Sequence, residues 1–261
     1  MTSNPPPLWQ RTAAKVFSTL GLSVARTSSL SARLPIEASD ADRRIIDKVK
    51  PFTMTSSERI WTLLQAIRYV TAQGIPGSVV ECGVWRGGSM MAAALQLQEL
   101  DAADREIWLY DTFTGMTEPT REDKEAATGV TAQQLLESTP IDNGNNVWCL
   151  ADEHDVRANM GSTGYPGDLL RFVKGDVSET LKENTPEKIA LLRLDTDWYA
   201  STKVELEVLY ERLVPGGICI LDDYGHWEGA RKAVDEFFNT QPPRPLMIPI
   251  DYSGRIFLKP C

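Results

Sequence analysis

The feature that most constrains the fold of this chain is a regular alternation of short apolar segments with helix-like segments, which begins near residue 55. Five segments have the length and apolar character of buried strands: SVVEC (78–82), EIWLYD (106–111), LLRFVKGD (169–176), IALLRLD (189–195) and GICILDD (217–223). Apolar strands that alternate with helices predict an α/β fold, with a mostly parallel sheet and helices on both of its faces. The C-terminal stretch PLMIPIDYSGRIFLKP predicts a hairpin, which would add an antiparallel pair.

Nearly every predicted strand ends in an acidic residue. These residues are Glu81, Asp111, Asp176, Asp195, Asp222 and Asp223. A single acid at a strand end is an ordinary turn or helix-cap residue. The carboxyl ends of parallel strands share one edge of the sheet, however, and ligands of such folds bind there. Because like charges repel, a cluster of this kind must be offset by cations or by hydroxyl-rich ligands, so the sequence predicts a binding site at this edge.

The composition excludes several classes of protein. Of the 261 residues 27 are basic and 36 acidic, and a net charge of -9 disfavours a nucleic-acid partner. The four cysteines are widely separated and form no CxxC pair, which favours a reduced, cytoplasmic setting. Because the chain has two histidines, zinc is disfavoured, and any metal should be a hard cation bound by oxygen. No apolar stretch approaches the roughly 20 residues that a membrane span requires.

The chain is long enough for one sizeable core, and we expect a single domain at 37–261 preceded by a basic arm at 1–36. The arm carries four basic residues and no acid. We expect it to be loosely held or to pack on a partner subunit. Between the second and third predicted strands, residues 112–168 form a long polar insertion with loop signals such as DNGNN. A loop of that length in a compact domain is usually a lid or a binding loop, so we expect a lid.

The segment ECGVWRGGS (81–89) follows the first predicted strand and opens a helix. Its glycines permit a tight turn and a close approach of a ligand to the backbone. It is not the dinucleotide fingerprint GxGxxG, because Trp85 stands at the position of the middle glycine, and it lacks the glycine-lysine pair of a Walker loop. A ligand with a charged amino-acid end and no phosphate suits this loop better. Asp111 stands where a nucleoside-binding fold places an acid for the ribose hydroxyls.

Eight segments carry a resemblance to a known family. In chain order they are TMTSSER, VVECGVWRGGS, YDTFTGM, GYP, KGD, LLRLDTDWYAST, LVPGG and ILDDYGHWEGARKAVDEFF. In these segments the sequence resembles the class I S-adenosylmethionine-dependent methyltransferases and, more narrowly, the macrocin O-methyltransferase family of Mg²⁺-dependent sugar O-methyltransferases. The resemblance implies a Rossmann-like sheet, S-adenosylmethionine and Mg²⁺ as cofactors, and an acceptor hydroxyl on a sugar or a glycosylated small molecule. We also expect a homodimer or a higher homo-oligomer.

The resemblance also implies which residues bind the cofactor. Glu81 and Gly83 would line its methionine end, Asp111 would hold the ribose, and Asp176 would lie near the adenine amino group. The full predicted set is Thr53, Met54, Glu81, Gly83, Arg86, Gly87, Ser89, Asp111, Thr112, Asp176, Val177 and Asp195.

The acids of the fourth and fifth predicted strands suggest a metal site. Asp195, Asp222 and Asp223 follow neighbouring strands, whose tips lie about 5 Å apart, and three carboxylates suit the octahedron that Mg²⁺ prefers. A sugar hydroxyl is a poor nucleophile, so a divalent cation would help it to lose its proton. Asp197 can face the same side as Asp195 and is the predicted general base. His226 is the second candidate for that role, and could instead be a capping residue that supports the site.

Several alternatives remain open at this point. The DTD motif at 195–197 also occurs in haloacid-dehalogenase-like phosphatases and in metal-dependent glycosyltransferases. A phenolic acceptor is a further alternative to a sugar. Three aromatic residues could stack on a sugar face, although an aromatic residue near a loop is as often simple packing: Trp148, Tyr165 and Trp227.

Overall fold

The computed structural model describes residues 34–142, 144–241 and 243–260. Residues 36–261 form one compact unit. All but the last three positions of the expected basic arm lie outside the described residues. Within the described residues, no helix combines the length and apolar character that a membrane span needs.

The central sheet has the predicted α/β arrangement. Its strands are β1 (Ser78–Cys82), β2 (Ile107–Asp111), β3 (Leu170–Lys174), β4 (Ile189–Leu194), β5 (Leu213–Leu221), β6 (Ile248–Pro249) and β7 (Arg255–Leu258). They lie in the order β3-β2-β1-β4-β5-β7-β6. The first five are parallel, whereas β7 pairs antiparallel with both β5 and β6. The mostly parallel sheet and its C-terminal antiparallel pair are therefore confirmed, and the strand order reverses between β1 and β4.

Eight α-helices are present in the described part of the chain. They are α1 (Asp40–Val49), α2 (Ser57–Ala72), α3 (Gly88–Glu99), α4 (Ala132–Ser138), α5 (Glu153–Gly161), α6 (Val177–Thr180), α7 (Tyr199–Leu209) and α8 (Glu228–Thr240). Ser56 caps α2, because its hydroxyl oxygen accepts from the amide of Arg59. On one face of the sheet, α7 and α8 pack on the strand residues Val80 and Leu192, α8 through Val234 and Phe238. Such packing stabilises the sheet by burying apolar area on that face.

Three helices and one strand boundary differ from the sequence-based expectation. The helices α1, α5 and α6 were not predicted. The helices α5 and α6 carry few apolar residues, whereas α1 does bury Ile45, Ile46 and Val49 on one face, and that period was overlooked. In α1, Ser39 and Asp42 form a capping box, and Asp42 pairs with Arg68 of α2. Strand β5 starts four residues before the predicted position, because Leu213 already pairs with Ile189. Tertiary packing decides these boundaries.

Candidate functional site

The carboxyl ends of the parallel strands open into a cavity of about 640 Å³, a size usual for a small-molecule site. The strand ends and the loops after them, at 83–89, 195–198 and 222–223, form one side, which we call the sheet wall. Residues between 115 and 149 form the opposite side, which we call the insertion wall. The cavity lies where the strand order reverses, which is the usual ligand position in such sheets.

Most of the predicted site residues line this cavity. From the predicted cofactor set they are Thr53, Met54, Gly83, Ser89, Asp111, Thr112, Asp176, Val177 and Asp195. From the predicted metal and proton-transfer sets they are Asp197, Asp222, Asp223 and His226, together with Asp195. The structure thus brings residues as far apart in sequence as Thr53 and His226, 173 positions, into one cavity.

Three predicted cofactor residues do not line the cavity. Glu81 is buried behind it and pairs with Arg193, and burial raises the pKa of Glu81 to about 7. The guanidinium of Arg86 is turned to Asp155, with Nε–Oδ2 and Nη2–Oδ1 distances of 2.8 and 3.0 Å. Gly87 has a φ of 84° and precedes α3 as its N-cap. In this structure these residues shape the loop, and their contact with the cofactor stays a prediction.

The glycine loop is held by contacts within the fold. Gly83 has a φ of 79°, and a Cβ there would lie 2.0 Å from the carbonyl oxygen of Asp195. Only glycine allows the ends of β1 and β4 to approach so closely. Asp111 accepts hydrogen bonds from the amides of Val84 at 2.8 Å and Trp85 at 3.0 Å through one carboxylate oxygen. Its other oxygen accepts from the amide of Phe113 at 2.8 Å. Asp111 therefore orders the loop, and its contact with a ribose stays a prediction.

Asp176 and Asp195 also combine a local structural contact with a position on the cavity. Asp176 caps α6, because its Oδ1 accepts from the amide of Ser178 at 2.8 Å. Asp195 follows β4, and its Oδ2 lies 2.6 Å from Nη1 of Arg193. Each of these carboxylates keeps lone pairs that a ligand could use.

Three carboxylates converge at the centre of the sheet wall. Asp195, Asp197 and Asp223 each place an oxygen within 4.8 Å of the oxygens of the other two. Burial, followed by the charge of Asp195, raises the pKa of Asp197 to about 7. Burial also raises the pKa values of Asp195 and Asp223 well above their ordinary range. Oδ2 of Asp223 is buried and has no hydrogen-bond partner among the described residues. Clustered carboxylates with raised pKa values and a buried oxygen without a hydrogen-bond partner are suited to binding a cation.

Asp222, the third residue of the predicted metal set, lies outside the carboxylate cluster in this structure, and its role as a ligand stays a prediction. Its carboxylate pairs with two guanidinium groups, those of Arg193 and Arg59, and also accepts from the hydroxyl of Thr55 at 3.0 Å. Burial would raise the pKa of Asp222, but Arg193 and Arg59 hold it below its usual value. Asp197 takes the third place in the carboxylate cluster, because Asp222 is turned to the arginines. The predicted set and the observed cluster share Asp195 and Asp223.

Sequence reasoning missed Arg59 as a second cation at the site. Arg59 lies in α2 and also pairs with Asp251, which follows β6, with an Nε–Oδ2 distance of 3.0 Å. The excess of acids at the strand ends was a signal, because Arg193 alone could not balance them. The arginine in the segment TMTSSER was the nearest unassigned candidate.

The proposed proton acceptors contact the aromatic part of the cavity. The indole Nε1 of Trp227 donates to Oδ1 of Asp197 at 3.1 Å. His226 lies with its Nδ1 3.5 Å from the hydroxyl of Tyr252 and its Nε2 3.8 Å from Oε1 of Glu125. Burial lowers the pKa of His226. The ring of His226 therefore lies at the mouth of the cavity, with Asp197 deeper inside.

Of the three aromatic residues expected to stack on a sugar, only one lines the cavity. Trp227 does so, whereas Trp148 and Tyr165 do not. Trp148 donates its indole N–H to the carbonyl of Thr139 at 2.9 Å, and Tyr165 donates its hydroxyl to the carbonyl of Arg105 at 2.8 Å. Both are packing residues in this structure.

Comparison with known proteins places the chain in a family. The family model described as Macrocin-O-methyltransferase (TylF) matches residues 3–259. The 8-demethyl-8-(2,3-dimethoxy-alpha-L-rhamnosyl)-tetracenomycin-C 4'-O-methyltransferase of Streptomyces olivaceus is 34% identical over 201 residues, which cover 76% of this chain and 73% of that protein. The mycinamicin III 3''-O-methyltransferase of Micromonospora griseorubida is 32% identical over 202 residues, 77% of this chain and 76% of that protein.

Solved structures share the fold. The O-methyltransferase NovP superposes with a TM-score of 0.70 at 24% identity, over 97% of this chain and 99% of that one. The S-adenosylhomocysteine-bound methyltransferase PaMTH1 of Podospora anserina has a TM-score of 0.53 at 15% identity, with both chains fully covered. These likenesses show the Rossmann-like fold, and the family match and the curated relatives show that the protein belongs to the macrocin O-methyltransferase family and is an S-adenosylmethionine-dependent O-methyltransferase.

Proposed function

We propose that this enzyme methylates a hydroxyl group of a sugar on a glycosylated small molecule, and that a divalent cation assists the transfer. The observation that carries the proposal is the convergence of Asp195, Asp197 and Asp223 on the sheet wall, within 4.8 Å of one another. One relative is named for a rhamnosyl-bearing compound, which supports a sugar acceptor. The family membership removes the phosphatase and glycosyltransferase alternatives that the DTD motif left open.

The carboxylate cluster fits a hard dication. Mg²⁺ takes oxygen ligands, and the cluster offers three carboxylates, one of which has a buried oxygen without a partner. Burial raises the pKa values of Asp195 and Asp223, and the neighbouring carboxylates raise them further because like charges repel. By contrast, Arg193 lowers the pKa of Asp195 and Arg59 lowers that of Asp223. We assign the cation to Asp195 and Asp223, which belong both to the predicted set and to the observed cluster. Asp222 stays a predicted third ligand, because its oxygens accept from Arg59 and Arg193 here.

Asp197 is the residue that we propose as proton acceptor. When bound, S-adenosylmethionine supplies an electrophilic methyl group, and the cation supplies positive charge that lowers the pKa of an acceptor hydroxyl. Asp197 lies beside Asp195 and is oriented by the indole N–H of Trp227. Burial raises the pKa of Asp197 to about 7, which suits a general base near neutral pH.

Two groups of lining residues support separate places for the two substrates. The glycine loop and the segment 175–176 both contact Asp111, and there we place the methyl donor. Glu125 and Tyr252 both lie beside His226, and there, with Trp227, we place the acceptor. Carboxylates and an aromatic ring are the side chains that hydrogen-bond and stack on sugars.

Calorimetric titration with S-adenosylhomocysteine and with Mn²⁺ tests the proposal. Wild-type protein should bind both, and the Asp223→Asn variant should lose Mn²⁺ binding and activity while it retains S-adenosylhomocysteine binding. Assays with a glycoside and its sugar-free aglycone as acceptors test the sugar preference, and turnover only with the glycoside is expected. Full activity of wild-type enzyme in excess chelator would contradict the role of the cation.

The remaining expectations are kept as proposals. We propose that the enzyme is cytoplasmic and forms a homodimer, and that the basic arm at 1–36 contributes to self-association. Sedimentation of the full chain beside a chain that lacks the first 35 residues tests the last point, because a monomer is expected only for the shorter chain. Cys82, Cys149 and Cys219 are free thiols, which supports a reducing compartment.

A further inference from the structure

Asp123 is a completely buried acid on the insertion that no step so far uses. Its side chain is 0% exposed. One carboxylate oxygen, Oδ1, accepts from the backbone amide of Tyr199 at 2.7 Å. The other, Oδ2, accepts from the amide and the hydroxyl of Thr120 at 2.6 and 2.8 Å. Burial of an acid is costly unless its partners are well placed, so this arrangement needs a reason.

The partner of Asp123 on the sheet side is the start of a helix. Tyr199 is the first residue of α7, and the N-cap residue of that helix, Trp198, makes no side-chain capping hydrogen bond. Asp123 supplies the missing acceptor from another part of the chain. A carboxylate at a helix N-terminus also interacts favourably with the helix dipole.

The same carboxylate lies against the start of α8. A Cβ at Gly229, in the first turn of that helix, would lie 1.9 Å from Oδ1 of Asp123. The N-cap residue of α8, Trp227, likewise lacks a side-chain capping bond. The next amide, that of Glu228, donates to the carbonyl of Lys124 at 2.9 Å. The segment 123–124 therefore caps or contacts the N-termini of both helices.

These two N-termini follow directly on the loops that carry the carboxylate cluster. Asp197 immediately precedes Trp198, and the amide of Trp227 donates to the carbonyl of Asp223 at 3.0 Å. The two indole rings meet edge to face with centroids 4.9 Å apart, and Trp227 donates to Asp197. A shift of either helix start would thus move an acid of the cluster.

We propose that Asp123 is a positioning residue for methyl transfer, which holds the N-termini of α7 and α8 and thereby sets the separation of Asp197 and Asp223. The inference rests on the proposed role of the carboxylate cluster. It also connects the insertion wall to that cluster, because Asp123 and Thr120 both lie in the insertion.

The first experiment replaces the carboxylate by an amide of the same shape. In Asp123→Asn an NH₂ group replaces one of the two oxygen atoms that accept from the backbone amides of Tyr199 and Thr120. One of these two amides therefore loses its hydrogen-bond acceptor. We expect kcat to fall by about 10²-fold, as for a small misplacement of reacting groups, and the affinity for Mn²⁺ to fall by about 10-fold. Affinity and stoichiometry for S-adenosylhomocysteine should not change, which separates a positioning effect from partial unfolding. Asp152→Asn, the same change at the N-cap of α5, is the matched control and should leave all three values unchanged.

The second experiment moves Asp123 without replacing it. Gly229→Ala should lower kcat because its methyl group meets the Asp123 carboxylate, whereas Gly161→Ala, at the end of α5, meets no atom within 4 Å and should be neutral. Since Asp123→Ala removes that clash, the double variant Asp123→Ala with Gly229→Ala should be no slower than Asp123→Ala alone.

Specific results overturn the inference. If Asp223→Asn is inactive but Asp123→Asn keeps the wild-type kcat, Asp123 does not position the cluster. Equal loss of S-adenosylhomocysteine and Mn²⁺ binding in Asp123→Asn would also overturn it, because that pattern indicates general disruption. If Asp223→Asn itself keeps full activity, the proposed site fails regardless of the result at Asp123.

Discussion

The sheet wall and the insertion wall of the cavity are held in place by different interactions. On the sheet wall, charged groups pair with one another across strand ends, and Arg193 alone contacts three acids, Glu81, Asp195 and Asp222. On the insertion side, backbone hydrogen bonds, the buried carboxylate of Asp123 and an apolar cluster around Leu136 attach the insertion to Trp198 and Trp227. We therefore expect the sheet wall to resist displacement because its charges cannot be separated without cost, whereas the insertion wall depends on a few attachment points.

This contrast fits the proposed division of labour between the walls. The sheet wall carries the carboxylates and the glycine loop, and these need fixed positions because the geometry of methyl transfer is the same for every acceptor. The insertion wall would contact the acceptor and must match one particular molecule. Loops accept sequence change more readily than strand ends do. Variants on the two walls should therefore differ in kind. We expect sheet-wall changes to affect stability and kcat, and changes at insertion residues that line the cavity to affect acceptor KM. Asp123 does not line the cavity, and its expected effect is on kcat because it holds two helix starts next to the carboxylate cluster.

The largest expected effect is on stability, at the central cation of the sheet wall. Arg193→Met leaves three acids without their shared partner, and loss of one member of a buried ion pair costs about 3–5 kcal/mol of unfolding free energy. Urea denaturation followed by circular dichroism measures it. Lys182→Met, which removes an exposed pair with Glu179, is the control and should change little. Equal unfolding free energies for the two variants would contradict the conclusion that ion pairs stabilise the sheet wall.

The next effect is on the chemical step. Asp197→Asn cannot accept a proton, so we expect kcat to fall by about 10²-fold or more while S-adenosylhomocysteine still binds. Single-turnover rates with saturating acceptor provide the measurement. A wild-type rate in this variant, together with a slow His226→Gln variant, would transfer the role of base to His226.

A smaller effect is expected on the insertion wall. Glu125 lines the acceptor end, and Glu125→Gln should raise acceptor KM by about 10-fold through loss of a charged hydrogen-bond acceptor. Initial rates at varied acceptor and varied S-adenosylmethionine separate the two KM values, and the KM for S-adenosylmethionine should not change. Glu137→Gln, on the exposed side of α4, is the control. A drop in kcat alone in the Glu125 variant would place this residue with the sheet wall.

The smallest effect concerns the pH dependence of stability. Glu205 of α7 is buried and accepts from the hydroxyl of Thr196, and burial raises its pKa to about 8 from an ordinary value of 4.5. The Glu205 carboxyl group therefore binds its proton more tightly in the folded protein than in the unfolded chain. The contribution of protonated Glu205 to the free energy of unfolding is fully present below pH 4.5 and is lost as the pH rises through about 8. Scanning calorimetry without added metal measures the effect. Between pH 5 and pH 9 the Tm of Glu205→Gln should fall less than the Tm of the wild-type enzyme. The exposed neighbour provides a control, since Glu207→Gln should follow the wild-type profile.

The predictability of the two walls from sequence differs as well. Strand ends can be located because a short apolar run followed by an acid is a local pattern, and that is how Asp111, Asp195 and Asp223 were found. The insertion has no such period. Its attachment through Asp123 depends on a backbone amide 76 positions away, which no local pattern indicates. Arg59 was missed for a related reason, since an arginine in the first turn of a helix is ordinary until a distant carboxylate is placed beside it.

The sequence by itself determined the parallel sheet, the edge at which the site lies, the family, and the acidic residues that line the cavity at the strand ends. These follow from hydrophobic periodicity, strand-end composition and motif order, which are properties of neighbouring residues. Tertiary structure alone decided which acids meet, so that Asp197 joins Asp195 and Asp223 while Asp222 turns to Arg59 and Arg193. The physical reason is that the interaction between charges depends on distances of a few ångströms in space, and packing sets those distances.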